Sequence, residues 1–191
     1  MRSKYTHEAW LAEAVRRFGP DKMAWTFVCP SCGCVWSVQD WKNAGAKESA
    51  VASSCVGRSL EASRDIGNDD GQPCNYANFG LFCLDPVSVV LPSGKERTAF
   101  GFLETADELD ALWSELDEEE RAALLGDVVA MPTRAERATF ARLVERKLFV
   151  QEGRHKKGPR FRRRSLGNRI VEHHKRKGES QCAASEQESH A

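Results

Sequence analysis

Phe27-Val28-Cys29-Pro30-Ser31-Cys32-Gly33-Cys34-Val35-Trp36 is the stretch from which the fold of this chain can be read. Two cysteines two residues apart, with Pro30 between them and Gly33 behind, make a tight turn that aims two thiolates at one tetrahedral metal. Trp25, Phe27 and Val28 on one side and Val35, Trp36 and Val38 on the other read as the two strands of a hairpin carrying that turn. The spacing predicts half of a structural zinc site.

The bulk composition fits such a module with room to spare. The chain has 191 residues, 41% hydrophobic and 29% charged, which suits one ordinary globular domain or two small ones. The seven cysteines are odd in number, and Met1-Arg2-Ser3-Lys4-Tyr5-Thr6-His7-Glu8 has no apolar run behind its basic residues. A metal therefore suits the Cys-x-x-Cys-Gly spacing better than a secreted disulfide framework. No stretch approaches the roughly 20 apolar residues of a membrane span, and a cytoplasmic protein without membrane contact is expected. The net charge is zero but uneven: nine acidic residues and no Lys or Arg occupy 104–120, whereas 154–177 is strongly basic.

Outward from the hairpin, Thr6 reads as the N-cap of a helix in which Trp10, Leu11, Ala14, Val15 and Phe18 recur at helical spacing, stopped by Gly19-Pro20. Asp40 is expected to cap a single turn through Trp41, and 51–55 to form a third strand. Residues 57–72 read as a polar insertion at the metal end. Strands are predicted over 79–84, 87–91 and 97–102, the last two joined by Pro92-Ser93-Gly94-Lys95 in one small antiparallel sheet.

The pattern changes at Leu103. Thr105-Ala106-Asp107-Glu108 is a capping box in front of a Leu109, Leu112, Trp113, Leu116 stripe. Asp117 opens a second helix with Leu124 and Leu125, and Thr133-Arg134-Ala135-Glu136 a third with Phe140, Leu143, Val144 and Leu148. The expected class is α+β: a zinc-ribbon-like domain with an N-terminal helix over 1–102, about three helices over 103–150, and a basic tail over 151–191. With Phe161 and Leu166 as its main apolar residues up to Arg169, the tail is expected to be disordered.

The second half of the metal site is less explicit, because no second Cys-x-x-Cys follows. Cys55, behind a predicted strand, and Cys74, in the turn-like Gln72-Pro73-Cys74-Asn75, are the preferred partners of Cys29 and Cys32, with structural Zn2+ as the cofactor. Cys34 and Cys83 stay open as alternatives, although Cys34 falls on the outgoing strand and Cys83 between Phe82 and Leu84 reads as core. Cys182 is read as incidental. None of the five histidines falls in the ribbon, which disfavours a catalytic zinc. His173-His174, among Lys175, Arg176 and Lys177, reads as part of a cationic face.

The residues Trp10-Leu11-Ala12-Glu13-Ala14, Arg17-Phe18-Gly19, the knuckle itself, Asp40-Trp41, Cys55-Val56-Gly57-Arg58, Cys74-Asn75-Tyr76 and Gly80-Leu81-Phe82 are similar to an uncharacterised family of small phage- and bacterium-encoded zinc-ribbon-like proteins. The resemblance covers about residues 5–102. It implies Cys29, Cys32, Cys55 and Cys74 as the metal-binding set, a phage or prophage origin, and an accessory role without a stated activity.

No phosphate loop, nucleophile elbow or His-Glu-x-x-His helix is present, so neither an enzyme nor a small-molecule substrate is expected. The leading expectation is a nucleic-acid-binding accessory protein. Its contacts would be Arg154, Lys156, Lys157, Arg160, Arg162, Arg163, Arg164 and Arg169, binding phosphates with little sequence preference. Trp25 and Trp36 would add base stacking if they faced outward, and are core if they lie under the first helix. The alternative is a protein-interaction module that modifies a host or phage machine, its acidic helices facing a basic partner. A recognition helix over 133–148 is less well supported, because Glu136 and Glu145 offset its arginines.

Overall fold

The computed structural model describes residues 3–62, 72–78, 84, 87–126, 129, 130, 132–155 and 158–188, in two units, Met1–Leu103 and Glu104–Ala191. The class is α+β, with small sheets and, among the described residues, six α-helices.

The first unit begins with β1 (Lys4–Thr6), which runs directly into α1 (His7–Phe18). Thr6 is the N-cap: its hydroxyl oxygen accepts the Ala9 amide at 3.1 Å, satisfying one of the unpaired donors at the helix start. Gly19 ends the helix at φ 81°, a conformation that costs a residue without a Cβ little. The expected hairpin is β2 (Thr26–Val28) against β3 (Val35–Ser37), with Phe27 opposite Trp36. Behind β3 follows α2 (Val38–Asn43). Asp40 sits in the first turn of this helix and closes a capping box with Ser37, which is the actual cap.

The predicted single sheet is two. β4 (Val87–Val90) and β5 (Glu96–Ala99) form the expected hairpin, but their sheet is completed by β1, parallel to β4. Such pairing needs a long crossover, and the whole metal-bearing segment supplies it. At Phe100 the chain changes sheets: its amide donates to the Ala52 carbonyl at 2.6 Å, and β6 (Gly101–Phe102) then pairs with β2. The predicted strand over 51–55 is a turn, reduced to one bridge between Ser54 and Ala77. The Ser53 hydroxyl donates to the Ser49 carbonyl and that of Ser54 to the Ala50 carbonyl, so these side chains hold a tight turn where a ladder was expected. The expected strand 79–84, apart from Leu84, and most of the 57–72 insertion lie outside the described residues.

Aromatic side chains fill the unit between α1 and the hairpin. Trp10 lies 5.9 Å from Phe27, 5.4 Å from Phe102 and edge-on to Trp25, ring centroid to ring centroid. Trp41 is fully buried against Phe27 and Phe100, and its indole N–H donates to the Ser54 carbonyl at 2.9 Å. Burial of each such ring stabilises the unit by about 1.5–3 kcal/mol.

The second unit opens with α3 (Ala106–Ser114), behind the expected Thr105/Glu108 capping box, and α4 (Glu118–Leu125), which Asp117 opens as expected and where it also closes a capping box with Glu120. β7 (Val129–Ala130) precedes α5 (Arg137–Glu145), and here the Thr133 amide donates to Glu136 at 2.8 Å one turn ahead of the helix. The three expected helices over 103–150 are therefore present.

The segment read as a disordered tail is folded. β8 (Phe149–His155) and β9 (Gly158–Arg163) form an antiparallel hairpin, β7 pairs with β9 on the other side, and α6 (Ser165–Glu188) follows. Its few apolar residues are well placed: Phe161, Ile170 and Val171 are buried with Leu109, Leu124, Phe140, Leu143 and Phe149. Its charges are offset inside the unit. Arg169 makes a two-pronged pair with Glu104 at 2.8 and 3.0 Å, and buried Arg163 donates to the carbonyls of Leu124 and Gly126 at the end of α4. Composition counts neither of these long-range partners, and they offset the ordering entropy. No helix among the described residues is long and apolar enough to cross a membrane.

Candidate metal centre

The knuckle is built by backbone hydrogen bonds. The Cys29 amide donates to the Cys34 carbonyl at 2.9 Å, and the Gly33 amide donates to the Cys29 carbonyl at 2.8 Å. Gly33 adopts φ 71°, which explains the glycine at this turn. Across from it, the Cys55 amide donates to the Tyr76 carbonyl at 2.9 Å and the Asn78 amide to the Ser53 carbonyl at 2.8 Å. This short pairing across the Ser54–Ala77 bridge does for Cys55 and Cys74 what a Cys-x-x-Cys turn does for the first pair.

The four side chains converge. The sulfurs of Cys29, Cys32, Cys55 and Cys74 all lie within 4.8 Å of one another, and all four residues are buried. Cys29 Sγ is 3.8 Å from Cys74 Sγ, and Cys32 Sγ is 3.9 Å from Cys55 Sγ. A disulfide would require about 2.05 Å. A tetrahedron of metal–sulfur bonds of about 2.3 Å has edges of about 3.8 Å, so the spacing fits one shared metal ion. A metal held by all four thiolates has no position left for water or substrate, the mark of a structural site.

Electrostatics agree with that reading. Without a metal, sulfur contacts, first with Cys32 and then with Cys55 and Cys74, together with burial hold the Cys29 thiol far above its ordinary range. Hydrogen bonds from Cys29, Cys32 and Cys74 hold Cys55 far below it. The four thiols are thus electrostatically interdependent, each sulfur's ionisation opposing or favouring its neighbours'. A metal takes its cysteine ligands as thiolates, so binding displaces thiol protons and affinity falls as pH falls. Backbone amides support the sulfurs from outside, that of Cys74 toward Cys55 and that of Tyr76 toward Cys74.

Gly57 sets how closely the Cys55 turn approaches the backbone of Cys74. A methyl group on it would lie 2.6 Å from the Cys74 carbonyl oxygen and 2.8 Å from the Cys74 amide nitrogen, both backbone atoms. Gly57→Ala is expected to push Cys74 out of place, weakening metal affinity at least about tenfold and destabilising the unit by about 1–3 kcal/mol. Competition with a chromophoric chelator measures this, and unchanged affinity would show that Gly57 has no such role.

Cys34 is buried but stands outside the four, lending its carbonyl to Cys29, and Cys83 lies outside the described residues. Trp25 is buried and donates from its indole N–H to the Gly19 carbonyl at 3.0 Å, so it is core and offers no stacking face. Trp36 packs partly buried against the same core.

Of the eight predicted phosphate contacts, Arg154 falls in β8, Arg160, Arg162 and Arg163 in β9, Arg164 between β9 and α6, and Arg169 in α6. Lys156 and Lys157 lie outside the described residues. Two of these side chains are engaged within the unit: Arg163 is buried and Arg169 is paired with Glu104.

Residues 6–103 match the family model described as VVA0879-like, just over half of the chain. The chain belongs to the VVA0879-like family. The VVA0879-like span ends with the first unit, contains all four clustered cysteines, and coincides within a residue with the extent of the resemblance found in the sequence. The second unit lies beyond it. No curated protein and no solved structure matches the chain.

Proposed function

We propose that this VVA0879-like protein is a non-enzymatic accessory protein, of phage or prophage origin as the resemblance implies, whose first unit is built around a structural Zn2+ on Cys29, Cys32, Cys55 and Cys74. The observation that carries this reading is the buried, closed set of four sulfurs. Four soft thiolates in a tetrahedral spacing select zinc among the common cellular divalent ions.

Such a scaffold acts by binding. The second unit favours a protein partner over nucleic acid, because much of its positive charge is neutralised at home. Arg142 and Arg146 converge on buried Glu120 at 3.2 and 3.3 Å, and Arg169 and Lys177 are paired with Glu104 and Asp110. Glu104 to Ala191 carries 17 Lys and Arg against 17 Asp and Glu, which gives no net attraction toward phosphates. Nucleic acid is the second reading, motivated by the exposed Lys175-Arg176 end of the described α6 surface and by the basic hairpin. Affinity capture on the tagged full-length protein after nuclease treatment is expected to return one stoichiometric protein. Loss of all partners on nuclease treatment, with nucleic acid alone recovered when the nuclease is omitted and binding that falls steeply with salt and is weakened by Lys175→Ala and Arg176→Ala, would replace this reading with the second one.

A further inference from the structure

A second cluster of side chains of metal-ligating type lies between α3 and α6, where the sequence suggested an acidic helix and a cationic face. Asp110 on α3 faces His173 and His174 on α6. One carboxylate oxygen and two ring nitrogens lie within 4.8 Å of one another. His173 Nε2 is 3.1 Å, and His174 Nε2 3.5 Å, from the same oxygen, Asp110 Oδ1. Neighbouring residues on a helix diverge by about 100°. Two consecutive rings turned onto one atom therefore define a common point rather than a stretch of helix surface.

The state of the His174 ring is the second observation. It is stacked on Trp113 with centroids 4.4 Å apart, and its Nε2 is buried without a hydrogen-bond partner among the described residues. This nitrogen is aimed at Asp110 Oδ1, 3.5 Å away, and a buried polar atom left without a partner is costly; a shared cation satisfies it and the carboxylate together. Lys177, one turn further along α6, takes the other oxygen, Asp110 Oδ2, at 2.8 Å, which keeps Oδ1 for the shared point.

We propose that Asp110, His173 and His174 bind a divalent transition-metal cation of the borderline class, such as Zn2+, Co2+ or Ni2+, at a site separate from the four cysteines. Two imidazoles and one carboxylate are the donor set such ions accept. Bonds of about 2.0–2.1 Å in a tetrahedron give ligand-to-ligand edges of about 3.3 Å, between the two distances observed. Three protein ligands leave at least one position for water, so this ion exchanges more readily than one enclosed by four thiolates. A cation here also ties the basic helix to the acidic one.

The test is a titration of zinc-loaded full-length protein with Co2+ alone, followed by visible absorption. The expected result is one equivalent bound with ligand-field bands and no thiolate charge-transfer band. Asp110→Asn, which keeps the side-chain shape, and His173→Ala, which leaves the stacked ring of His174 in place, should each lower its affinity at least about tenfold without changing the metal on the cysteines. Absence of the second equivalent, or its retention with unchanged affinity in both variants, would overturn the proposal. The cysteine centre is read independently, by the thiolate band that Co2+ produces when added to the metal-free protein, so the two sites fail separately.

Discussion

Replacing Cys29 by serine in the full-length protein is expected to unfold the first unit and leave the second intact. The free energy of structural zinc on four ligands is about 10–16 kcal/mol at neutral pH, as large as the whole 5–15 kcal/mol stability of an ordinary domain. The first unit leans on it heavily. Its strands are two to four residues long, and the turn at 51–55 and the segment around Cys74 meet the hairpin chiefly through the sulfur cluster and the aromatic core. Native-state hydrogen exchange should show loss of slow amides at Phe27, Val28, Trp36 and Cys55, with protection kept at Leu109, Leu143 and Ile170. A variant with wild-type protection in both units and unchanged metal content would remove the cysteine cluster from its role.

Ending the chain after Val150 is expected to unfold the second unit. A disordered arm could be removed at no cost to α3–α5. The folded segment cannot, because Phe161, Ile170 and Val171 are all nearly or fully buried, and their loss withdraws about 4.5–9 kcal/mol of burial. Arg163, which satisfies the carbonyl end of α4, and the partner of Glu104 go with them. That sum matches the stability of a small domain. Circular dichroism should lose more helix than α6 itself contributes, and exchange protection at Leu109 and Leu143 should vanish. Persistence of α3–α5 with cooperative melting would support the disordered-tail expectation instead.

The sequence revealed what is local and hid what is not. Thr6, Thr105 with Glu108, and Asp117 announce helix starts because a cap needs only its own next three residues. The Cys29–Cys32 turn and its hairpin are legible for the same reason. Cys55 and Cys74 could be preferred on their turn contexts, but no local pattern demands them, since what unites them is a single bridge, Ser54 to Ala77, across 23 residues of sequence. The strand expected at 51–55 is a turn because the hydroxyls of Ser53 and Ser54 bond back to the Ser49 and Ala50 carbonyls. β1 escaped notice because three residues in a parallel pair with β4 carry no pattern of their own. The folding of the basic segment is not legible locally, because a count of its apolar residues cannot include Glu104, Asp110 or the end of α4, the groups that make its charges tolerable. The Asp110–His173–His174 cluster is hidden on the same ground: in sequence one member belongs to an acidic run and the other two to a basic one, 63 residues away.

The measurement that bears most directly on the account is X-ray absorption at the zinc edge, on the full-length Asp110→Asn protein purified without chelator. That substitution removes a ligand of the second cluster and leaves the four cysteines untouched. The account predicts close to one zinc per chain with a first shell of four sulfurs at about 2.3 Å. A shell dominated by nitrogen and oxygen, or a folded chain that carries no metal, would contradict it.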